Sequence, residues 1–550
     1  MQVDSYKESD LLKLSKTPIK VDVLLSLIKN YPNEKDAKIL SEGFLFGFKI
    51  GYEGPRLPTH CNNLISAYQH KKELEIKLAK ELKLDRIAGP FSYRPFPNLR
   101  LSPIGLFPKK PTGWRLIHHL SYPLGKSVNS YIDPGNCSVQ YTSFDKVLNT
   151  ISEIGSKSLM GRMDISSAFR LLPIHPDDFV LFGFKFDGNY FFDKSLPMGC
   201  SASCQLFERF ATFVEWLVRS RSKSNSVEHY LDDFFFVGKA NSGDCQHRMS
   251  IFSSLCGEMG IPLADEKTVG PATNIVFLGL EIDTVEMVIR IPFDKLNETR
   301  EKLFVILNSK KVTLRMLQSL VGLLNFCARA IPSVRAFNRR FCDAMCGARK
   351  PEHFIRVSND MKEDIIIWLK FLAEFNGSCK FGKNTWLSNK QLDLYTDSTG
   401  NSNLGCGVYF SGHWAYFQWP TEWHNTEVMT DMTFLELVPI LLAVYLFKRE
   451  LSNKQILFHT DNNSLVAILN KKSSKSRRVM QLVRPLVLQT MICNMQCKAC
   501  FIEGRLNCIA DAISRKQWGR FRSIDPTADP FPTSIPQDFL KLISTVKLES

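Results

Sequence analysis

The sequence predicts a multidomain protein that combines α+β and α/β segments. Its 550 residues correspond to about three or four folded units at the usual domain size. Hydrophobic residues make up 44% and charged residues 23% of the chain, which is typical of globular proteins and excludes a largely disordered or collagen-like chain. Strand-like and helical patterns succeed one another in blocks, and each block predicts a domain.

The blocks follow in a clear order. The first is charged, with Leu74, Leu78 and Leu82 at near-helical spacing, and it predicts an N-terminal helical region of unknown role. A Pro/Gly-rich stretch from Gly89 leads into alternating strands and helices. Helices follow, and strand-like Leu392–Thr396 opens another domain before a Pro-rich C-terminal tail. The predicted divisions are 1–88, 89–290, 291–388, 389–518 and 519–550.

The charge distribution favours nucleic acid as a partner. The formal net charge is +15, and residues 466–523 contain twelve basic and two acidic side chains. A charge run is most often a solvated surface, yet so lopsided a segment is typical of a face that follows phosphates. Apolar runs stay below the roughly 18 residues of a spanning helix, and the polar start does not resemble a secretory signal. We expect an intracellular protein, cytoplasmic or nuclear, that engages no membrane.

The 15 cysteines predict free thiols, because their number is odd and secretory features are missing. A zinc site is the alternative at the tightest cluster, but its irregular spacing favours buried thiols. That cluster comprises Cys493, Cys497, Cys500 and Cys508.

A first group of carboxylates surrounds an apolar hairpin pattern. Asp232 and Asp233 lie between aromatic and aliphatic residues in His229–Val237, which predicts a β-hairpin with the acids at its turn. Two such charges about 4 Å apart repel by about 4 kcal/mol at an effective dielectric near 20, and a divalent cation removes that repulsion. A surface turn is the alternative. Asp164 follows another short apolar run, and a Pro/Gly turn at Leu196–Gly199 leads into an apolar helix.

In this order the segments resemble the palm of a reverse transcriptase. The wording around Trp114–Pro123 is most similar to DIRS-like retrotransposons, whose integration enzyme is a tyrosine recombinase. The resemblance implies a right-hand polymerase with fingers, palm and thumb. It also implies that Asp164 and Asp232 hold two Mg²⁺ ions, with Asp233 as an auxiliary ligand and Mn²⁺ as a substitute.

The same resemblance assigns further residues to the incoming nucleotide. Lys110 and Arg115, with Lys109 as a further candidate, would grip the triphosphate, and Lys267 matches the lysine of the fourth palm segment. Phe169 would exclude a ribose 2′-oxygen, although its aromatic ring also fits a core position. Met198 stands before Gly199 where retroviral enzymes carry glutamine. Phe277–Gly279 matches the segment that grips the primer, and His118 and His119 are expected to be ordinary strand residues.

A second group of carboxylates lies in the last domain. Singly, Asp397, Glu436, Asp461 and Asp511 fit ordinary cap or turn acids. Together, Tyr-Thr-Asp-Ser, Leu-Glu, Thr-Asp-Asn and Ala-Asp-Ala resemble ribonuclease H of the retroelement kind. The resemblance implies two more Mg²⁺ ions that serve RNA hydrolysis. The sequence departs from some relatives because no histidine follows His459.

The expected partners are an RNA template, a DNA primer, the RNA–DNA hybrid and dNTPs. An element-encoded recombinase is expected on another chain. One alternative is a catalytically silent, element-derived protein that only binds nucleic acid. Another is an RNA-dependent RNA polymerase, which Phe169 and the second group of carboxylates disfavour.

Overall fold

A computed structural model describes residues 11–109, 113–374, 378–381, 386–493 and 495–546. The chain divides into two compact units. The first contains the residues up to Leu278 together with Ile282–Met287, and the second contains Gly279–Glu281 and the residues from Val288 onward. The finer division into five segments stays a prediction.

The first unit mixes helices and antiparallel strands, as predicted. Its helices are Val21–Ile28, Glu34–Phe46, Ile65–Gln69, Lys71–Lys83, Phe144–Ile154, Ser201–Ser222 and Asp244–Met259. Its strands are β1 (Ile87–Phe91), β2 (Ile104–Pro108), β3 (Trp114–His118), β4 (Leu159–Asp164), β5 (Gly183–Phe186), β6 (Asn189–Asp193), β7 (Val227–Tyr230), β8 (Asp233–Gly238), β9 (Val269–Ala272) and β10 (Asn274–Phe277).

One antiparallel sheet, in the order β7-β8-β4-β9, carries the first group of carboxylates. Its strands are rich in aromatic residues because one face packs on helices: Phe234 stacks on Phe252 of the helix Asp244–Met259, with ring centroids 4.5 Å apart. Strands β2 and β3 form a separate hairpin, and β1, β6 and β5 form a second sheet. The Pro/Gly-rich lead-in predicted from Gly89 thus contains paired strands.

The N-terminal helices share the core of this sheet. Phe44 lies 5.4 Å from Phe210, and Tyr31 lies 5.2 Å from Phe213, measured between ring centroids. Phe210 and Phe213 belong to the helix Ser201–Ser222. Large aromatic rings contribute much of the burial energy of a core, so the first helices stabilise the sheet.

The second unit begins with short strands and a helical region. Its helices are Phe293–Leu307, Leu314–Ala330, Arg339–Met345 and Asn359–Glu374. Its strands are β11 (Leu280–Asp283), β12 (Val288–Arg290), β13 (Lys311–Thr313), β14 (Phe354–Arg356) and β15 (Ser378–Lys380). The last two residues of β11 belong to the first unit. The predicted spacing of Leu314, Leu317 and Leu324 is confirmed, since all three are buried in one helix.

The last domain is built around an antiparallel and a parallel strand group. The strands are β16 (Leu394–Ser398), β17 (Gly405–Phe410), β18 (His413–Gln418), β19 (Gln455–Thr460) and β20 (Gln496–Phe501). The helices are Asn389–Leu392, Met432–Leu446, Lys448–Leu451, Asn463–Lys471, Arg477–Ile492, Cys508–Ser514, Trp518–Ile524 and Gln537–Ser544. β16, β17 and β18 pair antiparallel, β19 pairs parallel with β20, and β16 lies beside β19.

Two boundaries in this domain differ from the prediction. Leu392 ends a short helix rather than opening a strand, because Asp393 adopts a left-handed conformation (φ 50°) that separates the two elements. The region from residue 519, predicted as a tail, contains short helices, and its Phe521 and Phe539 are buried against the domain. In the sequence, prolines divide the apolar residues of this region into short segments, so no helical periodicity is visible there.

Within the described residues, no helix is long and apolar enough to cross a bilayer.

Candidate functional site

The first three carboxylates meet at one end of the β7-β8-β4-β9 sheet. Asp164, the last residue of β4, lies directly opposite Asp233, the first residue of β8. Asp232 is in the two-residue turn between β7 and β8, and its carbonyl accepts a hydrogen bond from the Ile165 amide at 2.9 Å. Leu231 completes the turn in a left-handed conformation, φ 55°. The predicted hairpin is confirmed, and antiparallel pairing brings together acids that are 68 residues apart.

Burial and neighbouring negative charges disfavour the ionised forms of Asp232 and Asp233. Burial, reinforced by the Asp164 charge, raises the pKa of Asp232. Burial also raises the pKa of Asp233 to about 6, against the opposing effect of Arg162. Lys267 donates a 2.7 Å hydrogen bond to the nearly buried Asp164 carboxylate. The site therefore concentrates negative charge that one lysine and one arginine offset only in part.

The predicted nucleotide-binding residues surround this cluster unevenly. Arg115 is exposed on β3, and its positive charge partly offsets the rise in the pKa of Asp232. Lys109 is exposed just after β2, whereas the predicted Lys110 lies outside the described residues. Phe169 is half-buried and packs edge-on against Phe207, with ring centroids 5.8 Å apart. The ring contacts the core and keeps an accessible portion, and its role in nucleotide selection stays a prediction.

Gly199 has a conformation and a contact that require glycine. Its φ is +120°, and a Cβ would overlap the His118 carbonyl oxygen. The His118 amide donates to the Met198 carbonyl at 3.1 Å, so β3 and this turn are held together by backbone. Asn129 adds a clamp by donating to the Gly199 carbonyl at 2.8 Å and accepting from the Ser201 amide at 3.0 Å. Met198 is 42% exposed next to this turn.

We expect Gly199→Ala to destabilise the protein by about 2–4 kcal/mol, because both the overlap and the left-handed backbone oppose a side chain. Chemical denaturation measures the change. Gly188→Ala is the matched control: Gly188 has φ +80° with nothing near a Cβ, so it isolates the backbone strain of about 1 kcal/mol. Equal losses in the two variants would contradict the proposed overlap.

The second group of carboxylates gathers around β16. Asp397 pairs with Gly407 across β16 and β17 and accepts a 2.7 Å hydrogen bond from Ser514. Glu436, in the buried helix Met432–Leu446, accepts a 2.9 Å hydrogen bond from Ser398. Burial is the main cause that raises the pKa of Asp397 to about 7 and of Glu436 to about 8. Neighbouring carboxylate charges raise both values further.

The other two acids of this group occupy different surroundings. Asp461 follows β19, is exposed, and contributes to the raised pKa of both buried acids. Asp511, in the helix Cys508–Ser514, accepts hydrogen bonds from Arg515 at 2.5 Å and Arg520 at 2.6 Å. Burial opposes ionisation of Asp511, but these two guanidinium groups lower its pKa overall. All four predicted acids interact electrostatically, and the arginines are partners that the sequence analysis did not identify.

Metal ligands are not preassembled. Within the described parts of the chain, no group of three or more His, Cys, Asp or Glu side chains is arranged to hold a metal ion. The members of the cysteine cluster are free thiols in the structure. The two carboxylate groups nevertheless fit Mg²⁺ by their chemistry, because they consist of oxygen ligands. Burial is the main cause of the raised pKa values of Asp232, Asp233, Asp397 and Glu436, and neighbouring carboxylates add to it.

The basic segment 466–523 is less available than its charge predicts. Arg478 is almost fully buried and contacts Glu427. Lys472 is buried and donates to the Cys497 carbonyl, while Arg484 lies 3.5 Å from the buried Asp364. Arg515 and Arg520 contact Asp511, as described above. Several of the twelve basic side chains are thus engaged by acids or carbonyls of the fold, and the phosphate-binding face stays a prediction.

Sequence patterns also missed a buried ion pair beneath the first site. His229 lies between Glu215, which it contacts through Nδ1, and Glu208, 3.2 Å from Nε2. Burial alone would lower the pKa of His229, yet the two glutamates raise it to about 9. The charged imidazole therefore ties β7 to the helix Ser201–Ser222. The only sequence feature that could have indicated a role for His229 is its position just before Asp232 and Asp233.

Comparison with known proteins gives the class of the first site. Residues 107–282 match the family model described as "Reverse transcriptase (RNA-dependent DNA polymerase)". This stretch contains β4, the β7–β8 hairpin and all three acids of the first site. Residues 107–282 are thus similar to the reverse transcriptase domain found in retroviral polyproteins.

Individual relatives cover parts of the chain. The Gag-Pol polyprotein of Walleye dermal sarcoma virus is 26% identical over 231 residues, which are 41% of this chain and 12% of the relative. Protein P of Duck hepatitis B virus (strain Germany/DHBV-3) is 31% identical over 170 residues, 30% of this chain and 20% of the relative. The chain thus spans a fifth or less of the length of these curated relatives.

A solved structure of a foamy viral protease-reverse transcriptase in complex with an RNA/DNA hybrid aligns with a TM-score of 0.47 and 16% identity. The alignment covers 96% of this chain and 67% of that one.

Proposed function

We propose that the protein is an RNA- and DNA-directed DNA polymerase with ribonuclease H activity. The observation that carries the proposal is the antiparallel register that sets Asp164 opposite Asp233, with Asp232 in the adjoining turn. This geometry lies inside the segment that matches the reverse transcriptase family. A silent nucleic-acid-binding protein would gain nothing from three repelling, largely buried carboxylates, which reduce folding stability.

In the polymerase site, Asp164 and Asp232 would hold Mg²⁺ with Asp233 as an auxiliary ligand, and Mn²⁺ would substitute. Bound Mg²⁺ stabilises the charges that develop on the attacking and leaving oxygens during nucleotidyl transfer. Lys267 would orient the Asp164 carboxylate, because its ammonium group directly contacts that carboxylate. The hydrogen bond between Ile165 and the Asp232 carbonyl fixes the hairpin against β4.

Other residues would bind and select the nucleotide. Arg115 is exposed and interacts electrostatically with Asp232. Its guanidinium group would therefore bind a triphosphate placed near these acids. Lys109, just after β2, would add positive charge, and the family resemblance assigns the same role to Lys110. The accessible part of Phe169 would exclude a ribose 2′-oxygen and favour dNTPs. Met198 and Gly199 would form the other edge of the pocket.

The second site would cleave the RNA strand of the hybrid. Asp397, Glu436 and Asp461 would hold Mg²⁺, which activates water against an RNA phosphate when bound. Asp511 would join them once Arg515 and Arg520 release it. The two activities would act on the same hybrid, because the polymerase would produce the RNA–DNA duplex whose RNA strand the nuclease would remove.

The likeness of Trp114–Pro123 to DIRS-like elements favours a retrotransposon origin. A recombinase on another chain would then complete integration. RNA template, DNA primer and dNTPs are the expected substrates, and Mg²⁺ is the expected cofactor.

Primer extension tests the polymerase directly. The protein is incubated with a DNA primer on an RNA template, dNTPs and Mg²⁺, and a parallel reaction follows cleavage of labelled RNA in a preformed hybrid. Extension and cleavage are both expected, and EDTA should abolish both. Hybrid binding without either reaction would support the silent protein, and preferential use of rNTPs would support an RNA polymerase.

Stability should depend on pH in a direction set by the raised pKa values. The folded protein holds protons on Asp397 and Glu436, whose pKa values are about 7 and 8, that the unfolded chain releases near pH 4. The free energy of unfolding therefore falls as pH rises from about 4 to 8. Mg²⁺ binds the ionised acids, so we expect it to raise the melting temperature more at about pH 8 than at about pH 5.5.

Thermal melting of Glu436→Gln provides the control. Glutamine stays neutral at every pH, so the variant should lose part of the decline in stability toward pH 8. An unchanged pH dependence in this variant would contradict the role assigned to burial of Glu436.

A further inference from the structure

A largely buried network of ionisable side chains includes Arg170, the residue that directly follows Phe169. It consists of Glu81, Arg170, Asp193 and His118, and is called the Arg170 network below. Arg170 follows Phe169 in the 3-10 helix Ala168–Leu171. The four residues come from four separate segments, the helix Lys71–Lys83, the 3-10 helix, β6 and β3.

Arg170 is the centre of this network. Its Nε donates to Glu81 at 2.9 Å, and its Nη1 donates to Asp193 at 2.7 Å and to the Ser195 carbonyl at 2.8 Å. The planar guanidinium fixes direction as well as charge, which an ammonium group does not do. The carboxylates of Glu81 and Asp193 are both largely buried. If Arg170 moved away, these two negative charges would be left without a cation.

The network also reaches the second edge of the pocket. Asp193 Oδ2 lies 2.8 Å from His118 Nδ1. The His118 amide donates to the Met198 carbonyl, and its own carbonyl is the group that excludes a side chain at Gly199. Arg170 is therefore connected through two buried side chains, Asp193 and His118, to the turn that contains Met198 and Gly199.

Phe169 packs against the core with part of its ring. The ring packs on Phe207 from one side and is otherwise half-exposed. Ser167 precedes it in a left-handed conformation, φ 57°, and Arg170 follows it. The position of the ring thus depends on the short backbone segment that the Arg170 side chain anchors.

We propose that Arg170, held by Glu81 and Asp193, is a positioning residue that places Phe169 and thereby sets discrimination between dNTPs and rNTPs. The inference rests on the proposed polymerase function. It also gives the N-terminal region a role, because Glu81 supports the pocket from outside the segment matched to the family. Asp85 reinforces this connection through a 2.8 Å ion pair with Lys194, the residue after β6.

The expected consequence concerns a ratio of rates. A ring held less firmly admits a 2′-hydroxyl more readily, whereas a general loss of folded protein lowers the rates with dNTP and rNTP equally. Arg170→Lys keeps the positive charge and removes the fork, so it isolates geometry from charge. We expect it to reduce discrimination, measured as the ratio of kcat/KM for a dNTP to that for the matching rNTP, by about tenfold.

Single-nucleotide incorporation by the full chain measures this ratio. Glu81→Gln is the second variant: it leaves the Asp193 contacts in place and should lower discrimination by a smaller factor even if Arg170→Lys folds poorly. Arg56→Lys is the matched control, since Arg56 pairs with Asp178 at 2.6 Å in the same unit without contacting the network. Its discrimination should equal that of the wild type.

The outcomes separate this inference from the proposed function. A wild-type protein that does not extend primers refutes the polymerase function. A wild-type protein that extends primers, with unchanged discrimination in Glu81→Gln and in any active Arg170→Lys protein, overturns the positioning role alone. Reduced discrimination in either variant, with the control unchanged, supports it.

Discussion

Asp232→Asn is expected to abolish primer extension while the protein becomes at least as stable as the wild type. The activity should fall by about 10³-fold or more, because a charge that binds the metal is removed from the reacting centre. Stability should move the other way, since burial and the Asp164 charge already disfavour ionised Asp232. A neutral amide removes that repulsion. Primer extension and chemical denaturation of the same preparation measure the two effects.

The second site provides an internal control for this variant. Cleavage of RNA in a preformed hybrid should continue at the wild-type rate, because the acids of that site lie in the other unit. Asp265→Asn makes the same chemical change at an exposed position beside Lys267 and should leave extension unaffected. Normal extension by Asp232→Asn would show that this hairpin does not bind the metal.

Local patterns were sufficient for the first site because its chemistry is concentrated in short segments. The apolar flanks of Asp232 and Asp233 predicted a hairpin, and the structure contains that hairpin with Asp232 in its turn. The distant Asp164 was joined to it by a family resemblance rather than by periodicity. Antiparallel pairing of β4 with β8 supplies the physical reason for that association.

Contacts between distant segments could not be predicted in the same way. Arg170 has no unusual local pattern, yet it contacts Glu81, which lies 89 residues away. Likewise, the basic segment was interpreted from its total charge, while the structure pairs Arg478 and Arg484 with acids on other helices. Net charge describes the long-range field of a segment, but whether each charge is free depends on packing that the sequence does not display.

The C-terminal residues illustrate the limit of composition. Prolines after residue 525 are typical of loops and tails. Phe539 is nevertheless fully buried and packs against Phe417 and Tyr445, with centroid distances of 5.4 and 5.9 Å. A single aromatic side chain can hold a short segment in place because its burial contributes a large free energy.

Asp461→Asn is expected to abolish RNA cleavage and to leave both stability and primer extension unchanged. Asp461 is exposed after β19, so its replacement should change the free energy of unfolding by no more than about 0.5 kcal/mol. Cleavage should fall by about 10³-fold or more, since a charge that holds the metal is lost. Labelled RNA in a hybrid measures cleavage, and extension on a primed DNA template measures the polymerase separately.

Asp538→Asn, another exposed aspartate of the same unit, is the matched control and should cleave normally. The contrast with Asp232→Asn makes the pair of variants decisive, because each should remove one activity and preserve the other. Loss of both activities in Asp461→Asn, with an unchanged melting temperature, would mean that the two carboxylate groups do not act independently. Retention of cleavage would instead restrict metal binding to Asp397, Glu436 and Asp511, and Arg515 and Arg520 would then have to release Asp511 for the site to be complete.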